Sequence, residues 1–217
     1  MPTIRFFGHA CFSITSGGGS TLLIDPFRSG GFNGAMSCPA LPDAFDYVVT
    51  THDHDDHAAV DTVPGARVVG SPSQAGPFAI DHAVGAHDEH GGRLRGGLTR
   101  LLTISVDGQL IVHLGDLGER PCGTLLASLR QRPIDALIVP TGGYFTLGAD
   151  GAAELCALLQ PRFIIPCHSA DDGLLLPELD STARFLDRFG QATTVDALKL
   201  VSEPSASLQV VRLTRPR

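Results

Sequence analysis

Short apolar runs separated by glycine and proline dominate the first half of the chain. Residues 4–7 and 11–15 are apolar stretches on either side of a Gly8-His9 turn. Residues 21–25 follow the tight turn Gly17-Gly18-Gly19-Ser20, so this segment reads as an antiparallel meander. Residues 26–42, rich in Gly and Pro, predict a loop. Residues 46–50 (DYVVT) and 67–70 have the length and apolar content of buried strands. Residues 72–78 predict a short helix with Ser71 as its N-cap, and residues 83–86 are a brief apolar run. Residues 98–106 and 109–114 flank Asp107-Gly108, a strong hairpin signal.

The second half changes period. Residues 124–130 have a helical pattern. Ala152, Leu155, Cys156 and Leu159 form an i, i+3, i+4, i+7 stripe that predicts a helix over 152–159. Residues 136–139 and 163–165 are strands ending at Pro140 and Pro166, and residues 208–213 form a last strand. Residues 180–189 predict an amphipathic helix with Phe185, Leu186 and Phe189 inward. Hairpins followed by alternating strands and helices give an α/β chain, simplest as two face-to-face sheets with helices outside. No linker, repeat or low-complexity segment interrupts residues 1–217, which predicts one domain.

Composition narrows the partners. The chain has 217 residues, 43% of them apolar, which excludes a disordered chain. Sixteen Lys and Arg against 23 Asp and Glu give a net charge of −7, so no nucleic-acid partner is expected. No apolar run approaches the roughly 18 residues that a membrane helix needs, and no membrane association is expected. Arg5 and His9 interrupt the first apolar stretch, so it does not read as a signal peptide. Five widely spread cysteines make no disulfide framework, and Cys11, Cys122 and Cys156 read as small core residues. The cytoplasm is the expected compartment. A homo-oligomer stays open.

The chemistry concentrates in THDHDDH, residues 51–57, directly after DYVVT. His52 and His54 are two apart and project to the same side of an extended turn, whereas Asp56 and His57 are adjacent and diverge. Two metal ions need such a division. Imidazole and carboxylate together suit Zn²⁺ first, and also accept Mn²⁺ or Fe²⁺. Further ligand types recur at later strand ends: His87 in AHDEHGG, Asp116 in HLGDLG and His168 in IPCHS. Alternation along the last strand turns Cys167 to the core if His168 faces the metals.

This pattern resembles the metallo-β-lactamase superfamily. Within it the chain is most similar to small stand-alone metal-dependent hydrolases related to ascorbate-6-phosphate lactonase. GHACFSI, LLIDP, VVTTHDHDDH, HDEHGGRLRG, DGQLIVHLGDLG, VPTGGYFTLGADGAAEL and IPCH carry the resemblance over nearly the whole chain. It implies a four-layer αββα sandwich. It also implies one ion held by His52, His54 and His87, a second held by Asp56, His57 and His168, and Asp116 bridging them.

Two such ions with Asp56, Asp116 and a bridging hydroxide leave a core of net charge about +1. A metal lowers the pKa of bound water to about 7, so hydroxide is available to attack a carbonyl or phosphoryl centre. The expected function is hydrolysis of a small, anionic ester, lactone or phosphodiester, abolished by Asp56→Ala. His113, three residues before Asp116, is a candidate proton donor or supporting partner. Arg95, between glycines, is a candidate grip for a substrate phosphate or carboxylate. Gly142 and Gly143 are candidate backbone donors to substrate. His9 reads more readily as a turn residue than as part of the site. Three rival functions remain: an RNA or nucleotide phosphodiesterase, a di-iron oxygen-reducing site, and a non-catalytic metal-binding protein. His54, where the di-iron chemistry wants a carboxylate, discounts the second of these.

Overall fold

The computed structural model describes residues 1–121, 123–201 and 208–215. In chain order the strands are β1 (Thr3–Gly8), β2 (Cys11–Thr15), β3 (Thr21–Ile24), β4 (Tyr47–Val49), β5 (Arg67–Val68), β6 (Ser73–Ala75) and β7 (Phe78–Ala86). They continue with β8 (Leu98–Val106), β9 (Gln109–His113), β10 (Ala136–Pro140), β11 (Phe163–Cys167), β12 (Thr193–Val195), β13 (Leu198–Lys199) and β14 (Gln209–Leu213). The helices are α1 (Gly123–Leu129), α2 (Ala149–Leu159) and α3 (Thr182–Leu186). One sheet runs β13-β1-β2-β3-β4-β5 and the other β12-β14-β11-β10-β9-β8-β7-β6. No helix among the described residues is long and apolar enough to cross a membrane.

Alternation places the core. Ile4, Phe6, Phe12, Ile14, Leu22 and Ile24 meet Phe78, Ile80, Ile104, Ile111, Ile138 and Ile165 of the second sheet in one cluster. Their strand neighbours face the other way. Val112, Leu137, Val139 and Ile164 pack beneath α2 with Leu155, Cys156 and Leu159. Cys11, Leu23 and Val48 pack under loops carrying Phe27, Met36, Phe45, Leu174 and Leu179. Both faces of the central strands β2, β3, β9, β10 and β11 are therefore buried, which is why these strands read as continuous apolar runs. The αββα sandwich takes this form, with loops and short 3₁₀ turns covering the six-stranded face. Cys167 lies in the inter-sheet core, as alternation requires, and burial pushes the Cys156 thiol up to about 12. Cys122 lies outside the described residues.

Three predicted elements differ. Residues 72–78 do not form a helix: Ala75 pairs with Phe78 across a Gly76-Pro77 turn, with Gly76 at φ +55°. The Gly-Pro turn splits the segment before a helical turn can close. The run at 83–86 is the end of β7, whose period-two pattern starts at Phe78. The helix expected at 180–189 shrinks to α3, capped by Ser181 accepting from the Ala183 amide; Leu186 at its end and Phe189 in the looser turn beyond it pack onto the apolar cluster that contains Phe185.

Strand direction gathers the chemistry. β1, β3 and β4 run parallel, since both β1 and β3 are antiparallel to β2. β7, β9, β10 and β11 run parallel by the same reasoning through β8. His9, Asp25, the 51–57 turn, His87, Asp116 and His168 each follow the C-terminal end of one of these strands.

Candidate metal centre

The residues of THDHDDH meet those of the later strand ends. The His52 and His54 rings lie 4.4 Å apart, centre to centre, and His87 lies 4.6 Å from His52 and 5.0 Å from His54. One nitrogen of each falls within 4.8 Å of the others. A second group joins Asp56, His57 and His168, and it also includes His9. Asp116 lies between the two groups: its Oδ2 is 3.0 Å from His168 Nε2 and 3.9 Å from both His52 Nε2 and His87 Nδ1. Its Oδ1 is 3.2 Å from His57 Nε2. His52 and His57 are themselves close, with rings 4.2 Å apart, so the groups share a boundary rather than standing apart.

The polar atoms fit divalent cations. His57 Nε2, His87 Nε2 and Asp116 Oδ1 are buried without a hydrogen bond. His9 Nδ1 and His168 Nδ1 are also unpaired, as are Gln109 Oε1 and Arg162 Nε outside the site; buried polar atoms in folded proteins are usually paired, so five exceptions gathered in one assembly call for a ligand. Burial opposes ionisation of Asp116, yet His168 and His57 outweigh it and hold the carboxyl well below its usual range. Asp56 is likewise held low against burial by His57 and His9, and Asp25 by His57. Burial and the neighbouring His57 push His52 down to about 3, leaving it neutral as a metal ligand must be. His57 goes the other way: burial disfavours its charge, but Asp116, Asp56 and Asp25 raise it well above the ordinary value.

One carboxylate orients both groups. Asp25 accepts from the Thr51 amide at 2.6 Å, the Thr51 hydroxyl at 2.7 Å and His57 Nδ1 at 2.9 Å. With its proton committed to Asp25, Thr51 Oγ1 accepts from His52 Nδ1 at 2.9 Å. Both imidazoles thereby commit Nδ1 to this network and turn Nε2 toward the other site residues, His52 Nε2 lying 2.9 Å from His54 Nδ1 and His57 Nε2 lying 3.2 Å from Asp116 Oδ1, the arrangement in which an outer carboxylate supports a ligating histidine. Arg100 ties this turn to β8, donating twice to the Thr50 carbonyl.

Glycines let backbone close over the site. Gly96, at φ +68°, lies against the face of His87, where a Cβ would come within 2.5 Å of Nδ1. Asp88 holds that loop by accepting from the amides of His90, Gly92, Leu94 and Arg95. These four donors hold its carboxyl below the usual range despite the opposing effect of burial. His9, Asp25 and His168 all adopt left-handed backbone, at φ of 53°, 51° and 54°. Such strain in residues with a Cβ concentrates at functional sites.

Two residues belong to this assembly beyond the expected set. His9 donates from Nε2 to Asp56 Oδ2 at 2.9 Å, and its ring lies 4.1 Å from that of His168. Burial and His168 lower it to about 4, so it is neutral. The histidine of the Gly8-His9 turn was visible in the sequence, but nothing there linked it to Asp56. Asp25, which ends a buried strand, gave only the weaker signal of a carboxylate at the same sheet edge.

Other expected residues are placed elsewhere. His113 is no proton donor to the site: its Nε2 donates to the Ala10 carbonyl at 3.0 Å and its Nδ1 accepts from the Gly115 amide at 2.9 Å. Both nitrogens are spent on backbone. Arg95 does not line the cavity beside Asp116. Its guanidinium bonds the Tyr144 carbonyl and lies 4.2 Å above the Tyr144 ring, in an adjoining cleft that shares His87 with the cavity and also contains His90 and Arg120. Gly143 gives its amide to the Leu147 carbonyl, so it has none to offer a substrate. Gly142 instead makes room for the His168 carbonyl, which a Cβ would approach within 2.1 Å.

His54, His87 and His168, with Asp56 and Asp116, line a cavity of about 460 Å³ whose other walls include Asp53, Asp55, Phe32, Phe145, Leu174 and Leu176. That volume suits a small organic molecule. A larger cleft, about 630 Å³, surrounds Arg212 and Arg215 and contains none of the site histidines.

Comparison with known proteins shows the family and the fold. Residues 3–168 match the family model described as the beta-lactamase superfamily domain. The UPF0173 metal-dependent hydrolase of Pyrococcus furiosus is 35% identical over 197 residues, covering 77% of this chain and 84% of that protein. Among solved structures, a Thermotoga maritima protein assigned to the metallo-beta-lactamase superfamily as a Zn-dependent hydrolase superposes with a TM-score of 0.74. It is 25% identical, with 98% of each chain covered. Igni18, a metallo hydrolase from Ignicoccus hospitalis, superposes with a TM-score of 0.66 at 19% identity, covering 99% of this chain and 95% of that one.

Proposed function

We propose, for a chain that belongs to the beta-lactamase superfamily and is a metal-dependent hydrolase, that it uses two divalent ions to hydrolyse a small ester, lactone or phosphodiester. His52, His54 and His87 would hold one ion, and Asp56, His57 and His168 the other, with Asp116 shared between them. The observation that carries this reading is the Asp116 carboxylate lying between two imidazole groups, among buried nitrogens that have no other partner. Zinc is the first choice for five imidazoles and two carboxylates, and manganese or iron the next. Bound ions supply a water acidic enough to act as nucleophile near neutral pH and a Lewis-acid contact for the developing oxyanion.

The chain's own residues do the positioning. Asp25 holds His57 and, through Thr51, His52 in the tautomer that presents Nε2. His9 holds one oxygen of Asp56 in place. Gly96 and the loop tied down by Asp88 fix the plane of His87. Phe145 and Leu174 give the cavity apolar lining, and a less polar surround strengthens charge interactions at the reacting centre.

Elemental analysis of purified protein, with a turnover screen over esters, lactones and phosphodiesters, tests the proposal. It expects two ions per chain, loss of both in Asp116→Ala, and loss of turnover in Asp56→Ala. Full turnover with a single ion, or with neither, would overturn it.

A further inference from the structure

The cleft of about 630 Å³ holds two acids and two arginines: Asp171, Asp172, Arg212 and Arg215. Their charges would cancel if they paired, but both acids are committed elsewhere. Asp171 Oδ2 accepts from the Ser181 hydroxyl at 2.8 Å and the Thr182 amide at 3.0 Å. Asp172 is buried, and its Oδ2 accepts from the Ser169 amide and hydroxyl. Arg212 reaches Asp171 at 3.8 Å, too far for a hydrogen bond. Arg215 has no carboxylate partner among the described residues.

Arg215 is held in place all the same. Its Nη1 donates to Cys38 Sγ at 3.2 Å, and the Cys38 thiol donates to the Asp172 carbonyl at 3.3 Å. Burial pushes the Cys38 thiol up against the opposing pull of Arg215, so the sulfur stays uncharged and leaves the guanidinium unneutralised. Gly173, at φ +103°, makes room for this contact: a Cβ there would come within 2.6 Å of Arg215 Nη1 and 2.1 Å of Cys38 Sγ. A guanidinium carries five N–H donors, so most of those on Arg215 remain for a ligand. Thr194 stands opposite Arg212 across the β12–β14 pair and lines the same cleft. A cleft of this volume takes a small metabolite, and two unneutralised guanidiniums attract a compact dianion.

We propose that this cleft is a second ligand site, one that binds a phosphate monoester. Arg212 and Arg215 hold the phosphate, and the organic part lies against Phe6, Pro39 and Leu213. Phosphate puts close to two charges on the oxygens of a single group, whereas a carboxylate carries one. The planar guanidinium fork matches those oxygens with paired N–H bonds. No histidine of the metal centre lines the cleft, so the site stands whether or not the chain hydrolyses its substrate.

The test is calorimetry of the intact, zinc-loaded chain with glycerol phosphate, in about 0.15 M sodium chloride to screen long-range attraction. The expected result is a saturable site that zinc does not account for. Arg212→Gln and Arg215→Gln should each weaken it at least about tenfold, the scale of a lost charge-assisted hydrogen bond, with the zinc content per chain unchanged. Thr194→Glu puts a carboxylate opposite Arg212 at an exposed strand position that folding tolerates, and it should abolish binding. Glycerol phosphate bound equally well by all three variants would place it on the metal ions and overturn the proposal. So would the absence of saturable binding. Succinate bound more tightly than glycerol phosphate would mark a dicarboxylate site and overturn it as well.

Discussion

The Asp25 carboxylate takes three hydrogen bonds, two from Thr51 and one from His57, and it reaches His52 through the Thr51 hydroxyl. An amide at this position keeps the shape but presents an N–H where an acceptor stood, so the His57 tautomer is no longer enforced. Asp25→Asn should therefore weaken metal binding by about 10- to 100-fold, measured by competition with a chromophoric chelator. Unchanged affinity would show that His57 needs no such support. His113 gives the contrasting case. His113→Phe strips partners from the Ala10 carbonyl and the Gly115 amide, so it should cost about 2 kcal/mol in denaturant unfolding while leaving the ion count per chain unchanged. Sequence spacing separated these roles only in part. THDHDDH announced itself because several ligand types sit within one turn of chain. Asp25, His9 and His113 are each single residues whose meaning depends on what the fold brings opposite them, and one-dimensional spacing does not carry that.

At the level of elements, strands were readable wherever both faces were buried, because continuous apolar runs such as LIVH and ALIV leave few other choices. β6 was not readable: the Gly76-Pro77 turn, not the side-chain pattern, decides its fate. Helix ends follow the same logic of local backbone geometry. α2 stops at Gln160, which takes left-handed backbone at φ 49° and gives its amide to the Cys156 carbonyl. A side chain costs free energy there that glycine does not, so Gln160→Gly should stabilise the chain by about 0.5–1 kcal/mol, read as a thermal midpoint about 2 °C higher. The loop over His87 makes the opposite prediction. Gly96→Ala adds a Cβ within 2.5 Å of the imidazole at φ +68°, so the ring must move. Titration with zinc should then show the ion of the His52, His54 and His87 group bound much more weakly than the other; two equivalent tight sites would refute the close packing.

Across the whole molecule, strand polarity turns widely spaced residues into one site. Parallel ends of two sheets open onto a common edge, and the loops there carry both the chemistry and the structure behind it. Asp172 belongs to that second layer. It is buried, its Oδ2 accepts from the Ser169 amide and hydroxyl at 2.9 and 2.8 Å, and its carbonyl accepts from the His9 amide. Burial, aided by Asp171, pushes its carboxyl up to about 6 from an ordinary 3.8, against the Ser169 hydrogen bonds and the nearby His168. Between about pH 4 and 6 the folded chain therefore holds a proton that the unfolded chain has released. Folding takes up that proton, so this contribution to stability is complete below about pH 4 and is lost as the pH rises through 6. Asp172→Asn keeps an acceptor for Ser169 and removes the titration. Its thermal midpoint, measured relative to the unsubstituted chain, should climb by about 5 °C from pH 4 to pH 7, corresponding to roughly 2 kcal/mol. A difference that stays flat across that range would mean that water or a rearranged neighbour already solvates the carboxylate, and that the floor beneath His9 and His168 is less closed than its hydrogen bonds imply.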